Sequence, residues 1–266
     1  MGASIYYFSG TGNSHRVAKI VSEGLENAKL INIAKEPNPK PNDSDSTIGI
    51  IFPLYYFGLP VIVEQFLQQL NISPNTYVFI IVTRGVSIAG GAKRQLDMIF
   101  HAKGRRYQFF RYITMGNNYP FYSLNGSTKQ LKARRNKQAE EKTSAMLPNI
   151  KAKKQSRIFA IPDCPPLPAV TYKLPTFGYR HFLQIYKRDT CFVLDETLCN
   201  TCKKCEHACP TGNIEAHSSV EWKHENCQMC LACYNCCPKN AIQYIDPQYK
   251  VNTKGKRQYW NPMSSV

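Results

Sequence analysis

Eight cysteines near the C-terminal end of the chain form two copies of one spacing. The stretch "CNTCKKCEHACPTGNI" begins at Cys199, and "CQMCLACYNCCPKNAI" begins at Cys227. Each copy has the form C-x₂-C-x₂-C-x₃-C-P. Three thiolates at two-residue intervals on a short loop can bind three irons of a cubane cluster, while the fourth is carried away on the next element. The spacing therefore predicts two [4Fe–4S] clusters.

The same run occurs in bacterial ferredoxins, where the fourth cysteine ligates the other cluster. We expect one cluster on Cys199, Cys202, Cys205 and Cys237, and the other on Cys227, Cys230, Cys233 and Cys209. Pairs of C-x₂-C also suit tetrahedral zinc, but three cysteines at two-residue intervals closed by C-P, in duplicate, are not a zinc pattern. The remaining cysteines, Cys164, Cys191 and Cys236, are predicted not to be ligands.

A glycine-bearing loop, "FSGTGNS", stands between the first predicted strand and the first predicted helix. Free backbone amides and the helix dipole at such a position attract phosphate. The loop has no G-K-[ST] and lacks the third glycine of the dinucleotide fingerprint. Its hydroxyls could instead surround a phosphate monoester, although a plain strand-to-helix turn with a serine N-cap remains the alternative. The candidate residues are Ser9, Gly10, Thr11, Gly12, Asn13 and Ser14.

The first half of the chain alternates between apolar runs and amphipathic segments. Strands are predicted at "SIYYF", "KLINI", "TIGIIFPLYY", "TYVFIIVT" and "GRRYQFFRYITM", and helices at "SHRVAKIVSEGLE", "PVIVEQFLQQL" and "AGGAKRQLDMIFHAK". Alternation of this length indicates right-handed βαβ units and a parallel, doubly wound α/β sheet.

Ligands of doubly wound sheets bind beyond the carboxyl ends of the strands, where two further loops should lie. The loop "PLYYFGLP" offers an aromatic wall for a planar ring, and "TRGVSIAGG" offers glycines that let backbone amides approach a ligand. For the aromatic residues, core packing is the alternative. The candidates are Pro53, Leu54, Tyr55, Tyr56, Phe57 and Gly58 in the first loop, and Thr83, Arg84, Gly85, Gly90 and Gly91 in the second.

Residues 3–118 resemble flavodoxins, since "SGTGNS" fits their [ST]-x-T-G-x-[ST] phosphate loop. The resemblance implies a five-stranded sheet of order 2-1-3-4-5 and FMN, with its ring between the second and third loops. The whole chain, including "NNYPFY" and "RQYWNP", resembles flavodoxin–ferredoxin fusions of anaerobes. In the ferredoxin part, short strands are expected at "IEAH" and "AIQYID".

These features divide the chain into three predicted parts. Residues 1–150 form a flavodoxin-like FMN-binding domain, 151–188 a Pro-rich linker, and 189–266 a small α+β two-cluster ferredoxin domain with a C-terminal tail. The basic segment 129–157 is predicted to be a solvated helix that leads into the linker.

The composition limits the possible functions. The 266 residues carry a formal charge of +16 and eleven cysteines, a cysteine content that favours metal or redox cofactors over disulfides inside a cell. No apolar run is long enough to span a membrane, and no signal peptide is evident, so we expect a cytoplasmic protein.

Two clusters and one flavin predict an electron-transfer protein that serves redox protein partners, such as an acidic ferredoxin, a flavodoxin or a reductase. The alternative is an FMN-dependent reductase of a small organic acceptor, which would need an acid over the flavin. Arg84 and His15 lie in suitable loops, but by default each is a phosphate-binding or surface residue. Nucleic acid or membrane binding through the basic segment is a further class that we do not expect, because charge runs are usually solvated faces. The basic surface would more readily steer acidic carrier proteins.

Overall fold

The computed structural model describes residues 2–26, 28–39, 45–86, 91–119, 129–156, 190–246 and 251–253. In the first part of the chain the described strands are β1 (Gly2–Tyr7), β2 (Ala28–Asn32), β3 (Asp45–Pro53), β4 (Tyr77–Arg84) and β5 (Phe109–Thr114). The described helices are α1 (Asn13–Gly24), α2 (Val61–Gln69), α3 (Ala92–Ala102) and α4 (Lys129–Lys151). The predicted alternation of strands and helices is confirmed.

The five strands form one parallel sheet of order β2-β1-β3-β4-β5. This is the flavodoxin-like order, in which the direction of winding reverses at β1 and β3. All eight residues of β4 are buried, as expected for a parallel strand covered on both faces. The carboxyl ends of β1, β3, β4 and β5 therefore meet at one edge of the sheet.

Alternate side chains of the central strands enter two separate cores, because successive strand residues point to opposite faces. Ile80 and Val82 pack with α2 and α3 on one face, in a core that includes Phe66. Phe79 and Ile81 pack with α1 and α4 on the other face. Full burial of each such side chain stabilises the fold by roughly 1.5–3 kcal/mol, so the sheet is a rigid support for its edge loops.

Helix α4 differs from the solvated helix predicted for the basic segment. Ala139, Thr143 and Ile150 are buried, and Met146 and Leu147 pack against the same core as α1. These positions recur at helical spacing, so a narrow stripe of mostly apolar residues holds α4 on the sheet while most of its charged residues, though not the buried Lys132, face outward. The prediction of a solvated helix was wrong because the few buried positions lie among many charged residues in the sequence.

The C-terminal part is a small α+β unit, as predicted. Its described elements are β6 (Phe192–Leu194), α5 (Lys204–Ala208), β7 (Ile214–Ala216), β8 (Val220–Trp222), α6 (Ala232–Cys236), β9 (Ile242–Asp246) and β10 (Val251–Asn252). Strands β10, β9 and β6 form an antiparallel sheet in that order, and β7 pairs with β8. Strands β7 and β9 fall at the two predicted positions after the cysteine runs.

Other predictions differ in extent or lie outside the described residues. Strand β3 ends at Pro53, so it is shorter than the predicted strand, which continued to Tyr56. Most of the predicted linker 151–188, the "RQYWNP" tail, Gly90 and Cys164 lie outside the described residues. Among the helices that the structure describes, none is long and apolar enough to cross a membrane.

Candidate redox site

The two cysteine runs have the same backbone geometry. Lys203 and Leu231, the residues before α5 and α6, have φ angles of 59° and 62°. Thr201 and Met229, two residues earlier in each run, have φ angles of 49° and 51°. Left-handed conformations are uncommon for residues with side chains and cost of order 1–3 kcal/mol each. Because these left-handed conformations recur at matched positions, the two loops have the same local structure, which indicates that they have the same role.

Backbone amides point at the sulfur atoms in the same matched way. Asn213 donates to Cys209 Sγ, and Ala241 donates to Cys237 Sγ, both over 3.2 Å. The first cysteine of each run accepts from the amide two residues later, over 3.5 Å at Cys199 and 3.4 Å at Cys227. Amide donors at cysteine sulfur stabilise thiolates and tune the potential of a bound cluster.

The fold brings cysteines of the two runs close to one another. Burial, with smaller contributions from the adjacent Cys237 and Cys202 thiols, raises the pKa of Cys205 to about 11. Cys237 of the second run therefore lies beside the first run. Burial raises the pKa of Cys233 well above its usual value, and Cys230, Cys227 and Cys209 add to that effect. Cys209 of the first run thus lies among the cysteines of the second.

We name the two groups by their exposure. The outer set is Cys199, Cys202, Cys205 and Cys237, and the inner set is Cys227, Cys230, Cys233 and Cys209. All four outer cysteines line one cavity, which opens to solvent. Cys202 is exposed and no inner cysteine is; Cys209 and Cys230 are half-buried, and Cys227, Cys233 and the outer Cys205 are buried.

Two predicted non-ligands are described. Cys236 lies near the outer set, but its Sγ donates to the carbonyl of Cys233 over 3.4 Å, so it lacks the amide contact that Cys237 shares with Cys209. Burial raises the pKa of Cys236 to about 12. Cys191 is buried in the core of the C-terminal unit.

The donor chemistry fits an iron–sulfur cluster better than a single ion. Among the described residues, no three Cys, His, Asp or Glu side chains are close enough together to hold one metal ion. Zinc bonded at about 2.3 Å would draw its sulfurs close together, whereas a cubane separates its cysteine ligands by its own irons and sulfides. Each group has four cysteines, which is the ligand number of a [4Fe–4S] cluster.

The predicted phosphate loop follows β1 and opens α1. Gly12 precedes α1 with a φ of 87°, a left-handed conformation that favours glycine, and no side chain caps the helix. Ser14 Oγ lies 2.7 Å from Thr83 Oγ1, which joins the first and third loops. Thr11 Oγ1 accepts from Asn118 Nδ2, so the Thr11 proton is left for another acceptor. This donor set fits a phosphate monoester.

The aromatic loop after β3 is a tight turn. The backbones of Tyr55 and Gly58 bond to each other in both directions, over 3.1 and 2.8 Å. Tyr56 and Phe57 between them have positive φ angles of 45° and 64°. Pro53 and Leu54 lead into the turn, and the Leu54 amide donates to the Thr83 carbonyl over 2.7 Å. Strain of this kind concentrates at functional sites.

The remaining candidates are Arg84, Gly85 and Gly91 at or after the end of β4, and His15 in α1. Arg84 is buried, with Nε donating to Thr114 Oγ1 over 3.2 Å and its guanidinium 4.7 Å from the Tyr112 ring. Gly85 lies against Asn117, and Gly91 precedes α3. His15 lies 4.9 Å from the Tyr7 ring, and burial, together with Lys19, lowers the His15 pKa. None of these positions favours Arg84 or His15 as the acid of a reductase.

The inner cysteine set contacts the loops at the sheet edge, in a region that we call the loop–cluster junction. A Cβ built on Gly10 would lie 2.6 Å from both the Cβ and the carbonyl oxygen of Cys230. Gln228 Oε1 accepts from the Ile62 amide over 3.2 Å. The junction comprises Gly10, Tyr55, Tyr56, Ile62, Asn118 and Tyr119 on one side, and Gln228, Cys230, Asn235 and Tyr244 on the other.

Three tyrosine hydroxyls form a hydrogen-bonded chain across this junction. The Tyr56 hydroxyl lies 3.1 Å from that of Tyr119, which lies 3.3 Å from that of Tyr244 on β9. Tyr244 is fully buried. The sequence reasoning missed Tyr119 and Asn118 as site residues, although they follow β5 in the noted stretch "NNYPFY" and so must lie at the same sheet edge.

The cysteine-rich C-terminal part of the chain is similar to known iron–sulfur proteins. Residues 191–254 match the family described as the 4Fe-4S dicluster domain. A similar curated protein is the pyruvate synthase subunit PorD of Methanocaldococcus jannaschii, with 38% identity over 55 residues, which are 20% of this chain. The chain spans 64% of that subunit's length. The chain thus carries a 4Fe-4S dicluster domain, which is a redox module.

Solved flavoproteins resemble the first part of the chain. A putative flavoprotein of Bacteroides uniformis has 18% identity and a TM-score of 0.34, covering 44% of this chain and 92% of its own. A Streptococcus pneumoniae flavodoxin has 16% identity and a TM-score of 0.35, covering 55% and 99%. Because these values are low, the flavodoxin-like assignment of the fold rests on the strand order. The chain therefore joins a flavodoxin-like sheet to a 4Fe-4S dicluster domain.

Proposed function

We propose that the protein transfers electrons between two [4Fe–4S] clusters, an FMN and an external redox protein. The observation that carries this proposal is the loop–cluster junction, where Cys230 lies against the Gly10 phosphate loop and Tyr55. A cluster on the inner set would adjoin the loops proposed for FMN. When bound, the clusters exchange single electrons, and the flavin exchanges one or two.

The chain's own residues have distinct parts in this proposal. Each cysteine set holds one cluster, and the matched amide donors at Cys209 and Cys237 stabilise the bound thiolates. The phosphate loop, with Thr11 and Ser14, binds the FMN phosphate. Tyr55 and Tyr56 pack against the C-terminal unit and exclude water from the path between cluster and ring.

The first test is the cofactor content of the full chain reconstituted without oxygen. We expect about eight irons, eight sulfides and one FMN per chain. After rapid reduction of the clusters, the flavin absorbance should then bleach. Full iron without FMN, or an FMN that stays oxidised beside two intact clusters, contradicts the proposal.

The adjacent cysteines supply a matched pair of variants for the ligand assignment. We expect Cys237→Ser to lose the outer cluster, which leaves about four irons per chain. Cys236→Ser should keep about eight, because Cys236 Sγ bonds to a backbone carbonyl and lacks the ligand geometry. Iron analysis with electron paramagnetic resonance of the reduced protein separates the two. The opposite result would assign the ligand to Cys236.

A further inference from the structure

We propose that the surface around the outer cysteine set is the port through which external electrons pass, and that it docks an acidic redox protein. This inference rests on the proposed function and adds the partner's chemistry and its docking position. The outer set opens to solvent through a cavity, and its Cys202 is exposed. In the inner set Cys227 and Cys233 are buried and Cys230 lies against Gly10 at the loop–cluster junction, so a partner can approach the outer set more closely.

The rim of the outer cavity is positively charged. Lys203, Lys204 and Lys239 line it, and all three are exposed. Among the described residues that line this cavity, none is acidic. Lys203 precedes α5, Lys204 begins it, and Lys239 follows Cys237 and Pro238, so the fold brings lysines from both cysteine runs to one opening. Such a rim attracts a partner whose redox centre is surrounded by carboxylates.

The nearby carboxylates do not cancel this rim. Asp195 accepts from the amide and hydroxyl of Thr197, over 3.1 and 2.6 Å. Glu206 accepts from the Ala216 amide over 3.2 Å, on the side of α5 that faces β7. Glu196 is exposed but does not line the cavity. The three lysines line the opening and these carboxylates do not, so the side-chain charges at the opening itself are positive.

One exposed apolar side chain adjoins the basic rim. Leu198, directly before the cavity residue Cys199, is 46% exposed. Apolar contact within a polar rim is the usual anatomy of a protein docking surface. A nucleic acid would use the lysines but gain nothing from this side chain, so the surface favours a protein partner.

The test measures cluster reduction by a pre-reduced acidic [2Fe–2S] ferredoxin in stopped flow, using the full chain with its clusters. The triple variant Lys203→Gln, Lys204→Gln and Lys239→Gln should lower the second-order rate about tenfold at low ionic strength. The difference should disappear near 1 M salt, where charges are screened beyond about 3 Å. A basic cytochrome that accepts electrons from the reduced chain should show the opposite change, a faster rate.

The matched control removes three exposed lysines elsewhere, as Lys137→Gln, Lys142→Gln and Lys154→Gln. This variant has the same net charge as the first, and its rate should stay within about twofold of wild type. Equal losses in both variants would mean that overall charge steers the partner and would overturn a local port. No loss in the cavity variant would overturn it as well.

A redox titration separates docking from tuning of the cluster. Lysines near a cluster also affect its potential. If the rate loss persists at high salt and follows a lowered potential, the lysines tune the cluster and the port is overturned. The readout is cluster bleaching, which does not require FMN. A flavin that stays oxidised while the lysine effect holds would reject the proposed function and leave the port standing.

Discussion

Replacement of Gly10 by alanine tests the loop–cluster junction directly. The new Cβ would lie 2.6 Å from the Cβ and carbonyl oxygen of Cys230, and 2.9 Å from the Tyr55 hydroxyl. Ordinary contact begins near 3.4 Å, so the two loops must separate by about 0.8 Å. The carbonyl belongs to the backbone of the cysteine loop and cannot rotate away. The φ of Gly10 is not positive, so alanine fits the backbone and the effect is steric.

We expect Gly10→Ala to lower the free energy of unfolding by about 1–3 kcal/mol, the usual cost of overpacking. Electron transfer from the clusters to the flavin should also slow. The matched control is Gly24→Ala, whose Cβ would lie 2.5 Å from Leu147 Cδ1, the far end of a flexible side chain on α4. This clash relaxes easily, and a helical alanine gains about 0.5–1 kcal/mol over glycine.

Urea unfolding measures the stability of both variants, and stopped-flow reduction measures the rate at which electrons pass from their clusters to the flavin. The reasoning predicts that Gly24→Ala stays near wild type in stability and in transfer rate. If Gly10→Ala also matches wild type in both, the phosphate loop and the Cys230 loop are not in contact in solution. The junction, and with it the main support for the proposed function, would then be refuted.

Two further predictions follow from hydrogen bonding and burial. Tyr119→Phe removes a hydroxyl placed between those of Tyr56 and Tyr244 and should lower the free energy of unfolding by about 1–3 kcal/mol. The control is Tyr77→Phe, because the Tyr77 hydroxyl donates to a carbonyl away from the junction. This variant should lose about 1 kcal/mol of stability and leave cluster-to-flavin transfer unchanged. The lowered pKa of His15 means that the native state favours the neutral ring, so the free energy of unfolding should fall as pH drops below 6.5. Titration by NMR should give a His15 pKa below 6.5, and a value above it would contradict the burial argument.

Local patterns in the sequence predicted most of the fold. Strand and helix positions follow from apolar periodicity, because the sheet is covered on both faces by helices that the same periodicity reveals. Helix α4 was the exception, since its apolar stripe at Ala139, Thr143 and Ile150 is narrow and surrounded by charge. These buried positions can be recognised in the sequence only by their helical spacing, because charged residues outnumber them.

The candidate site was predictable in its parts but not in its assembly. Cysteine spacing predicts the crossed ligand groups, and in the structure Cys237 rather than Cys236 shares the amide contact of Cys209. Nothing in the spacing places Cys230 against Gly10, because that contact joins residues more than 200 positions apart in the sequence. Arg84 looked like a loop residue, yet its buried contact with Tyr112 depends on the register of β4 and β5.

Clusters bound by the two copies of the motif would differ mainly through their surroundings. Their loops share left-handed residues at matched positions and amide donors at equal distances, so local geometry gives both sets nearly the same chemistry. Any difference between them must therefore come from the tertiary surroundings. Lysines and solvent surround the outer set, and an apolar core with the phosphate loop surrounds the inner set. In the proposed electron-transfer protein, the direction of electron flow would thus depend on how the two parts of the chain pack together, which the duplicated motif alone does not determine.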